Sequence, residues 1–306
     1  NPHDIMWYPR YTEALPGQAN PPKVFSELPA NYETPSDLIT RQKPRIQRAM
    51  QQLATQTFGA MAFTGPNHEA AWLEMLDLYL LLQQEVDEQI GRLLDALEAK
   101  PDVAANTVIL FTADHGEYCG SHGLRGKGAA VYEEALRVPF YVKDLTGRFT
   151  TNPEVERRQL TSSVDVAPLL LTLANGDGWR QQEQYAHLAD RLDVAALLRD
   201  PQAAGRSYIL HTRDEPGNEE DPATPYTDDP PGHIIGYRTA TAKLGVYSYW
   251  EAGTSTILSE GQEHELYDYR TTGGQQELDN LAPAGGDLYN QLYTTLFDDA
   301  IPNELR

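Results

Sequence analysis

Four side chains that are able to bind a metal ion or an anion fall within one short stretch of the chain. Asp114 and His115 come directly after the apolar run TVILFTA, and His122 and Lys127 follow in a glycine-rich loop. Open α/β sheets usually build their sites from groups beyond the carboxyl ends of buried strands. Carboxylate and imidazole groups bind divalent cations, and an ammonium group neutralises anionic oxygens. The pattern therefore predicts half of a metal-dependent site for an anion.

The identity of the predicted metal depends on what His115 does. Asp114 offers the carboxylate oxygen that Ca²⁺ and Mg²⁺ prefer. If His115 is also a ligand, its imidazole favours Mn²⁺ or another transition ion, whereas calcium leads if His115 binds the anion. The simpler interpretation is that Asp114 caps a turn and His115 is a solvated histidine. Glu133 and Glu134 are possible further ligands, but a cap or a salt bridge to Arg137 is favoured for them.

Four short motifs follow one another along the chain: DHG at 114–116, HGLRGKG at 122–128, YEE at 132–134 and RVP at 137–139. Their order resembles one known family, the sulfatases of the alkaline phosphatase superfamily. Three distant segments agree with the same family: NPHDI at 1–5, LTSSVDVAPLLLTLA at 160–174, and GYRTATAKLGVYSY at 236–249 with ELYDY from 265. The resemblance thus extends over the whole chain.

This resemblance implies hydrolysis of a sulfate monoester and gives each candidate residue a role. Asp114 and His115 would hold one divalent metal, with Ca²⁺ expected first and Mg²⁺ or Mn²⁺ left open. Lys127 would be both a catalytic and a substrate-binding residue, since its ammonium would hold a sulfate oxygen. His3 would be the general acid or would orient the nucleophile. His122 is expected near the same pocket as a third catalytic residue.

Two more residues are expected to contact the substrate because they lie close to His3 in the sequence. Trp7 and Arg10 follow His3 closely, in a proline-punctuated stretch that reads as an irregular wrapping segment. An aromatic and a cationic side chain beside an active-site histidine suggest pocket lining. Aromatic packing under a long loop is an equally strong interpretation.

The nucleophile motif of the family does not occur in these residues. Sulfatases carry a C/S-x-P/A-x-R motif whose Cys or Ser is oxidised to formylglycine, whereas Cys119, the one cysteine, stands in CGSHG. We therefore expect residue 1 to lie deep inside the family's fold and the chain to be its C-terminal portion. An upstream segment, expected as the partner of this chain, would supply the formylglycine.

The expected fold class is α/β, with an alkaline-phosphatase-like mixed or parallel sheet between helices and a smaller C-terminal α+β subdomain on an antiparallel sheet. The expected boundary divides the chain into residues 1–204 and 205–306. Apolar periodicity predicts a core-facing helix over 67–100. Further expected elements are strands at 107–113 and 138–142 that are buried on both faces, a helix at 162–174, β-rich segments from 205, and a helix at 287–297.

Composition excludes some classes of protein. The formal net charge of −21 argues against nucleic-acid binding, which needs clustered cations. An acidic chain must also hold an anionic substrate by local positive charge, such as a metal and Lys127. Because the sequence has no run of about 18 apolar residues, no membrane span is expected. One cysteine excludes an internal disulfide, and the compartment is left open.

Three functions follow from these residues. The first is a sulfuric ester hydrolase, arylsulfatase-like, acting on a small-molecule or carbohydrate sulfate. The second is a phosphonate monoester hydrolase or phosphodiesterase of the same superfamily, which shares the DHG and lysine elements. The third is a non-catalytic accessory fragment that keeps half of a site.

Overall fold

The computed structural model describes residues 23–215, 229–251, 253–254 and 256–304. Its α-helices are α1 (Pro35–Thr40), α2 (Arg45–Phe58), α3 (His68–Glu98), α4 (Pro101–Ala104), α5 (Glu133–Leu136), α6 (Val166–Asn175), α7 (Ala186–Ala189), α8 (Val194–Arg199), α9 (Thr272–Gln275), α10 (Asp287–Thr295) and α11 (Ile301–Glu304). A π-helical turn at Leu296–Ala300 joins the last two. No helix among the described residues is long and apolar enough to cross a membrane.

The strands form two antiparallel sheets. The first pairs β1 (Val108–Thr112) with β2 (Phe140–Asp144). The second is a meander in the order β3 (Tyr208–Asp214), β4 (His233–Thr239), β5 (Ala242–Ser248) and β6 (Glu263–Asp268). This second sheet confirms the expected antiparallel C-terminal subdomain. The division at residue 204 stays a prediction.

The two central strands of the four-stranded sheet, β4 and β5, are buried on both faces over most of their length. One face packs on the terminal helices, where Leu244, Val246 and Leu266 contact Leu292 and Leu296. The other face packs on the loop that follows β1, with Val131 among its contacts. A Cβ built on Gly236 or on its register partner Gly245 would lie 3.1 Å or 3.0 Å from Val131. Two opposed glycines therefore let the site loop lie against the sheet.

The positions of β1 and β2 were predicted closely, but their expected burial on both faces was wrong. Phe111 is 42% exposed and Tyr141 is 68% exposed, and the two rings contact each other at 6.1 Å. The inner face packs on α6 and α8 through Leu110, Phe140 and Val142. No described element covers the outer face of β1 and β2. The apolar run in β1 therefore did not indicate burial on both faces.

The expected helix over 67–100 is confirmed as α3, but not all of its length faces the core. The buried residues lie in the first half and are Trp72, Leu76, Asp77, Leu78 and Leu81. In the second half Val86 is 54% exposed and Leu93 is 72% exposed. Burial in this half is partial, since Leu94 and Leu97 line a cavity together with Ile109 and Leu145.

Candidate functional site

The turn after β1 brings Asp114 and His115 together at the surface. The Asp114 carboxylate accepts a hydrogen bond from the His115 backbone N–H at 2.9 Å. His115 Nδ1 lies 2.9 Å from the Gly116 carbonyl oxygen, which only accepts, so Nδ1 carries the proton. His115 Nε2 therefore turns its lone pair towards Asp114 Oδ2, 3.3 Å away. Two acceptors face each other unless a cation or a proton lies with them.

This pair fits part of a metal site. A separation of 3.3 Å suits two adjacent ligands of one ion bound at about 2.0–2.6 Å. The Asp114 side chain is 84% exposed, so an ion can reach it. Two donors are fewer than the roughly six that Ca²⁺ or Mg²⁺ takes. The residues fit the group as a partial ligand set, and the assignment of Asp114 and His115 as ligands stays a prediction.

Lys127 lies near this pair on an exposed part of the same loop. The pKa of Asp114 is lowered mainly by the hydrogen bond from the His115 backbone, and the charges of His115 and Lys127 lower it further. Burial raises the pKa of Glu117, while His115 and Lys127 oppose that rise. The charge of Lys127 thus acts on both carboxylates, and we refer to Asp114, His115 and Lys127 as the rim. The assignment of Asp114, His115 and Lys127 to one site stays a prediction.

Two glycines allow the loop to fold tightly behind this rim. A Cβ on Gly116 would lie 1.9 Å from the carbonyl oxygen of Glu134, and one on Gly123 would lie 2.2 Å from that of Glu33. Gly116 also donates its N–H to the Ala135 carbonyl at 2.8 Å. The backbone of α5 thus lies directly against the residue that follows His115.

His122 lies in a different environment from the rim, because its imidazole has no exposed surface. Its Nδ1 donates to Glu33 Oε2 at 2.6 Å, and its ring stacks on Tyr132 at 3.5 Å. Asn31 Nδ2 lies 3.1 Å from Nε2 and donates to Glu134 at 2.6 Å. Burial lowers the pKa of His122 to about 3, so the ring is neutral at pH 7. A catalytic role for His122 stays a prediction.

A second group with metal-binding chemistry lies in this buried region. Donor atoms of His122, Glu134 and Glu277 fall within 4.8 Å of one another. Glu277, however, accepts from the Lys243 ammonium at 2.6 Å and from the Tyr269 hydroxyl at 2.6 Å. The ammonium thus already neutralises the carboxylate that an ion would need. This group fits a metal less well than the pair at the rim.

Glu133 pairs with the C-terminal sheet, and the expected salt bridge to Arg137 is absent from the described ion pairs. Its carboxylate lies 2.8 Å from Lys243 Nζ and 3.3 Å from Arg238 Nε. Arg238 and Lys243, on neighbouring strands of the C-terminal sheet, thus contact α5 directly after the site loop. The reason is that β4 and β5 present these cations to the start of α5.

Three candidate residues lie outside the described part of the chain. These are His3, Trp7 and Arg10. Their predicted roles in catalysis and substrate contact stay predictions.

The sequence did not indicate the buried ion network behind the loop. Lys43 Nζ contacts the hydroxyls of Tyr132 and Tyr267 at 3.1 and 2.7 Å and lies 3.6 Å from Glu33. Burial lowers the pKa of Lys43, against the opposing effect of nearby carboxylates. The sequence offers one weak signal of this network: some charged residues stand beside apolar residues at helix starts and within strands.

A comparison with protein-family models matches residues 8–176 to the Sulfatase family. The chain belongs to the sulfatase family. Two curated relatives agree: the uncharacterized sulfatase YidJ of Escherichia coli is 33% identical over 36% of this chain, and an arylsulfatase of Volvox carteri is 30% identical over 71% of it. The matched region is 23% and 33% of the length of those two proteins. The chain thus spans about a third or less of them.

Solved structures of low identity share the fold. A 2-O GAG sulfatase matches 99% of this chain and 57% of its own with a TM-score of 0.59 at 20% identity. A protein in complex with its substrate D-glucosamine-2-N,6-O-disulfate matches 83% of this chain and 46% of its own with a TM-score of 0.55 at 22% identity. A phosphonate monoester hydrolase of Agrobacterium radiobacter matches 82% of this chain and 49% of its own, with a TM-score of 0.55 at 19% identity. The alkaline-phosphatase-like fold is confirmed.

Proposed function

We propose that the protein hydrolyses a sulfate monoester at the rim formed by Asp114, His115 and Lys127. The observation that carries the proposal is the convergence of a carboxylate, an imidazole lone pair and an ammonium group in a chain of the sulfatase family. Cleavage develops charge on sulfuryl oxygens and on the leaving oxygen, so a site needs cations for the first and a proton donor for the second.

Each residue supplies a distinct part of this chemistry. A divalent ion held by Asp114 and His115 would supply positive charge for the sulfuryl oxygens. Lys127 binds a sulfate oxygen through an ammonium that is a compact charge with three donors. His3 is the proposed proton donor to the leaving group. A formylglycine nucleophile has to come from outside these 306 residues, since they contain no C/S-x-P/A-x-R motif.

The substrate proposed is a small aryl or carbohydrate sulfate. One structural neighbour holds a disulfated glucosamine as its substrate, and another is a GAG sulfatase. The Volvox relative is an arylsulfatase. The local cations at the rim offset a formal net charge of −21, which opposes the approach of an anion.

Hydrolysis of phosphonate monoesters or phosphodiesters is the second candidate. It is favoured by His115, which stands where the best-known sulfatases have asparagine, and by the shared fold of the Agrobacterium enzyme. The charge that develops on phosphoryl oxygens would use the same cations.

One comparison of substrates tests both candidates. The intact natural protein is assayed with p-nitrophenyl sulfate and with bis(p-nitrophenyl) phosphate at equal concentration. We expect the larger kcat/KM for the sulfate. A larger value for the phosphodiester would reverse the ranking, and turnover of neither substrate would favour a non-catalytic accessory role.

A further inference from the structure

The residue before Lys127 is fixed from both sides by the start of the loop. Glu117 Oε1 accepts the Gly126 N–H at 2.6 Å, and the Tyr118 N–H donates to the Gly126 carbonyl at 3.0 Å. The same Oε1 also accepts the Cys119 N–H at 3.1 Å. One carboxylate oxygen therefore closes the loop that separates His115 from Lys127.

Gly126 takes a backbone conformation that glycine adopts without strain, with a φ of +76°. No atom lies within 4 Å of the place a Cβ would take, so the two hydrogen bonds are the contacts that fix its peptide groups in this loop. Lys127 itself is exposed and follows directly. The direction in which its side chain leaves the loop depends on how the Gly126 peptide is held.

The charges around Glu117 agree with this arrangement. His115 and Lys127 act on the carboxylate from the rim, and Arg125 interacts with it from the buried side. The Arg125 side chain is anchored to the Gly59 carbonyl at 2.8 Å. The Glu117 carboxylate thus interacts with basic side chains on both sides of the loop.

We propose that Glu117 is a positioning residue that holds Lys127 beside Asp114 and His115 by closing the 117–126 loop. Its required property is the reach of an acceptor oxygen to two backbone N–H groups. The inference rests on the proposed function in one respect, namely that Lys127 binds the sulfate group.

A matched set of Glu117 variants separates the effect of side-chain length from the effect of the negative charge. Glu117→Gln keeps an acceptor oxygen at the same reach and loses the charge. Glu117→Asp keeps the charge, and its shorter side chain cannot reach both N–H groups. Glu117→Ala loses both properties. Glu88→Ala, on the exposed surface of α3, is the control.

The intact natural protein is assayed for p-nitrophenyl sulfate hydrolysis and, by titration calorimetry, for binding of inorganic sulfate. We expect Glu117→Asp and Glu117→Ala to lower kcat/KM and to weaken sulfate binding at least about 10-fold, with Glu117→Gln within about 3-fold of wild type. The proposal is overturned if Glu117→Gln and Glu117→Asp lose kcat/KM and sulfate binding equally. It is also overturned if Glu117→Asp and Glu117→Ala lose neither.

The two readouts distinguish failure of this inference from failure of the proposed function. If the wild type binds sulfate without hydrolysing the ester, the proposed function fails, and the binding data still test the loop closure. If Glu117→Ala does not fold, the comparison of the Gln and Asp variants decides the outcome.

Discussion

Asp114 and His115 present two facing acceptors, a pair that a cation or a proton can bridge. His115 Nδ1 is committed to the Gly116 carbonyl, which leaves Nε2 as an acceptor 3.3 Å from Asp114 Oδ2. A metal ion satisfies both, and Lys127 adds charge at the same rim. The residues that carry the proposed chemistry are exposed, while Glu117, which closes the loop, is half-buried.

Removal of the metal tests this pair. We expect chelation with EDTA to abolish p-nitrophenyl sulfate hydrolysis and added Ca²⁺ or Mn²⁺ to restore it. Asp114→Asn is expected to lower kcat/KM at least about 100-fold. Asp87→Asn on α3 is the exposed control. Full activity in the presence of chelator would argue against a metal at this pair.

The buried neutral His122 predicts a pH dependence of stability. Its pKa is about 3 in the folded protein and about 6.5 when unfolded. Below pH 6.5 the unfolded chain takes up a proton that the folded protein does not, so stability falls by about 1.4 kcal/mol per pH unit. The charged groups that face the ring are Glu33, Glu134, Glu265, Lys43 and Lys243.

Urea unfolding of wild type and His122→Asn at pH 7.5 and 5.0 measures this effect. Asn suits the left-handed φ of +55° at this position. We expect the wild type to lose about 2 kcal/mol more than the variant between the two pH values. Equal losses would show that His122 does not carry the effect.

At the scale of elements, close backbone contact between the site loop and α5 sets the position of His115. Gly116→Ala would place a Cβ 1.9 Å from the Glu134 carbonyl oxygen, whereas Gly91→Ala on α3 meets nothing within 4 Å. We expect the first to lower the free energy of unfolding by about 2 kcal/mol or more and the second to raise it by about 0.5–1 kcal/mol. Urea unfolding of both variants checks this, and a neutral Gly116→Ala would contradict the packing described.

Sequence patterns predicted the positions of helices and strands along the chain well. They predicted less well which faces of those helices and strands are buried. Periodicity placed α3, α6, β1 and β2 within a few residues, because these signals are local. Burial of the Phe111 face and of the second half of α3 depends on neighbouring elements, which a local pattern does not specify.

The same distinction applies to the candidate site. Asp114, His115 and Lys127 were predicted together because one loop carries them. The contact between Glu33 and His122 joins residues 89 apart, and no local pattern indicates such a pair. The hydrogen bonds that Glu117 accepts join residues close in sequence. They come from backbone N–H groups, which nearly every residue has, so the sequence does not mark which residues donate them.

At the scale of the whole molecule, a buried ion network connects the C-terminal sheet to the site loop. The Lys243 side chain is 1% exposed and pairs with Glu133 and Glu277, and its ammonium donates to the Val131 carbonyl. Taking one partner from a buried pair leaves an uncompensated charge, which costs more than the pair itself contributes.

Replacement of Lys243 tests this connection. We expect Lys243→Met to lower the free energy of unfolding by about 3–5 kcal/mol and Lys243→Met/Glu277→Gln to recover part of that loss. Lys100→Met, at an exposed position, is the control. Thermal unfolding measures all three, and a loss below about 1 kcal/mol in the single variant would show that the network does not hold the sheet.

The central claim is that the rim of Asp114, His115 and Lys127 hydrolyses a sulfate ester, and Lys127 tests it most directly. The measurement is kcat/KM for p-nitrophenyl sulfate in the intact natural protein, its Lys127→Ala variant and the exposed control Lys100→Ala. We predict a loss of at least about 100-fold in Lys127→Ala and none in Lys100→Ala. A wild-type rate in Lys127→Ala would contradict the account.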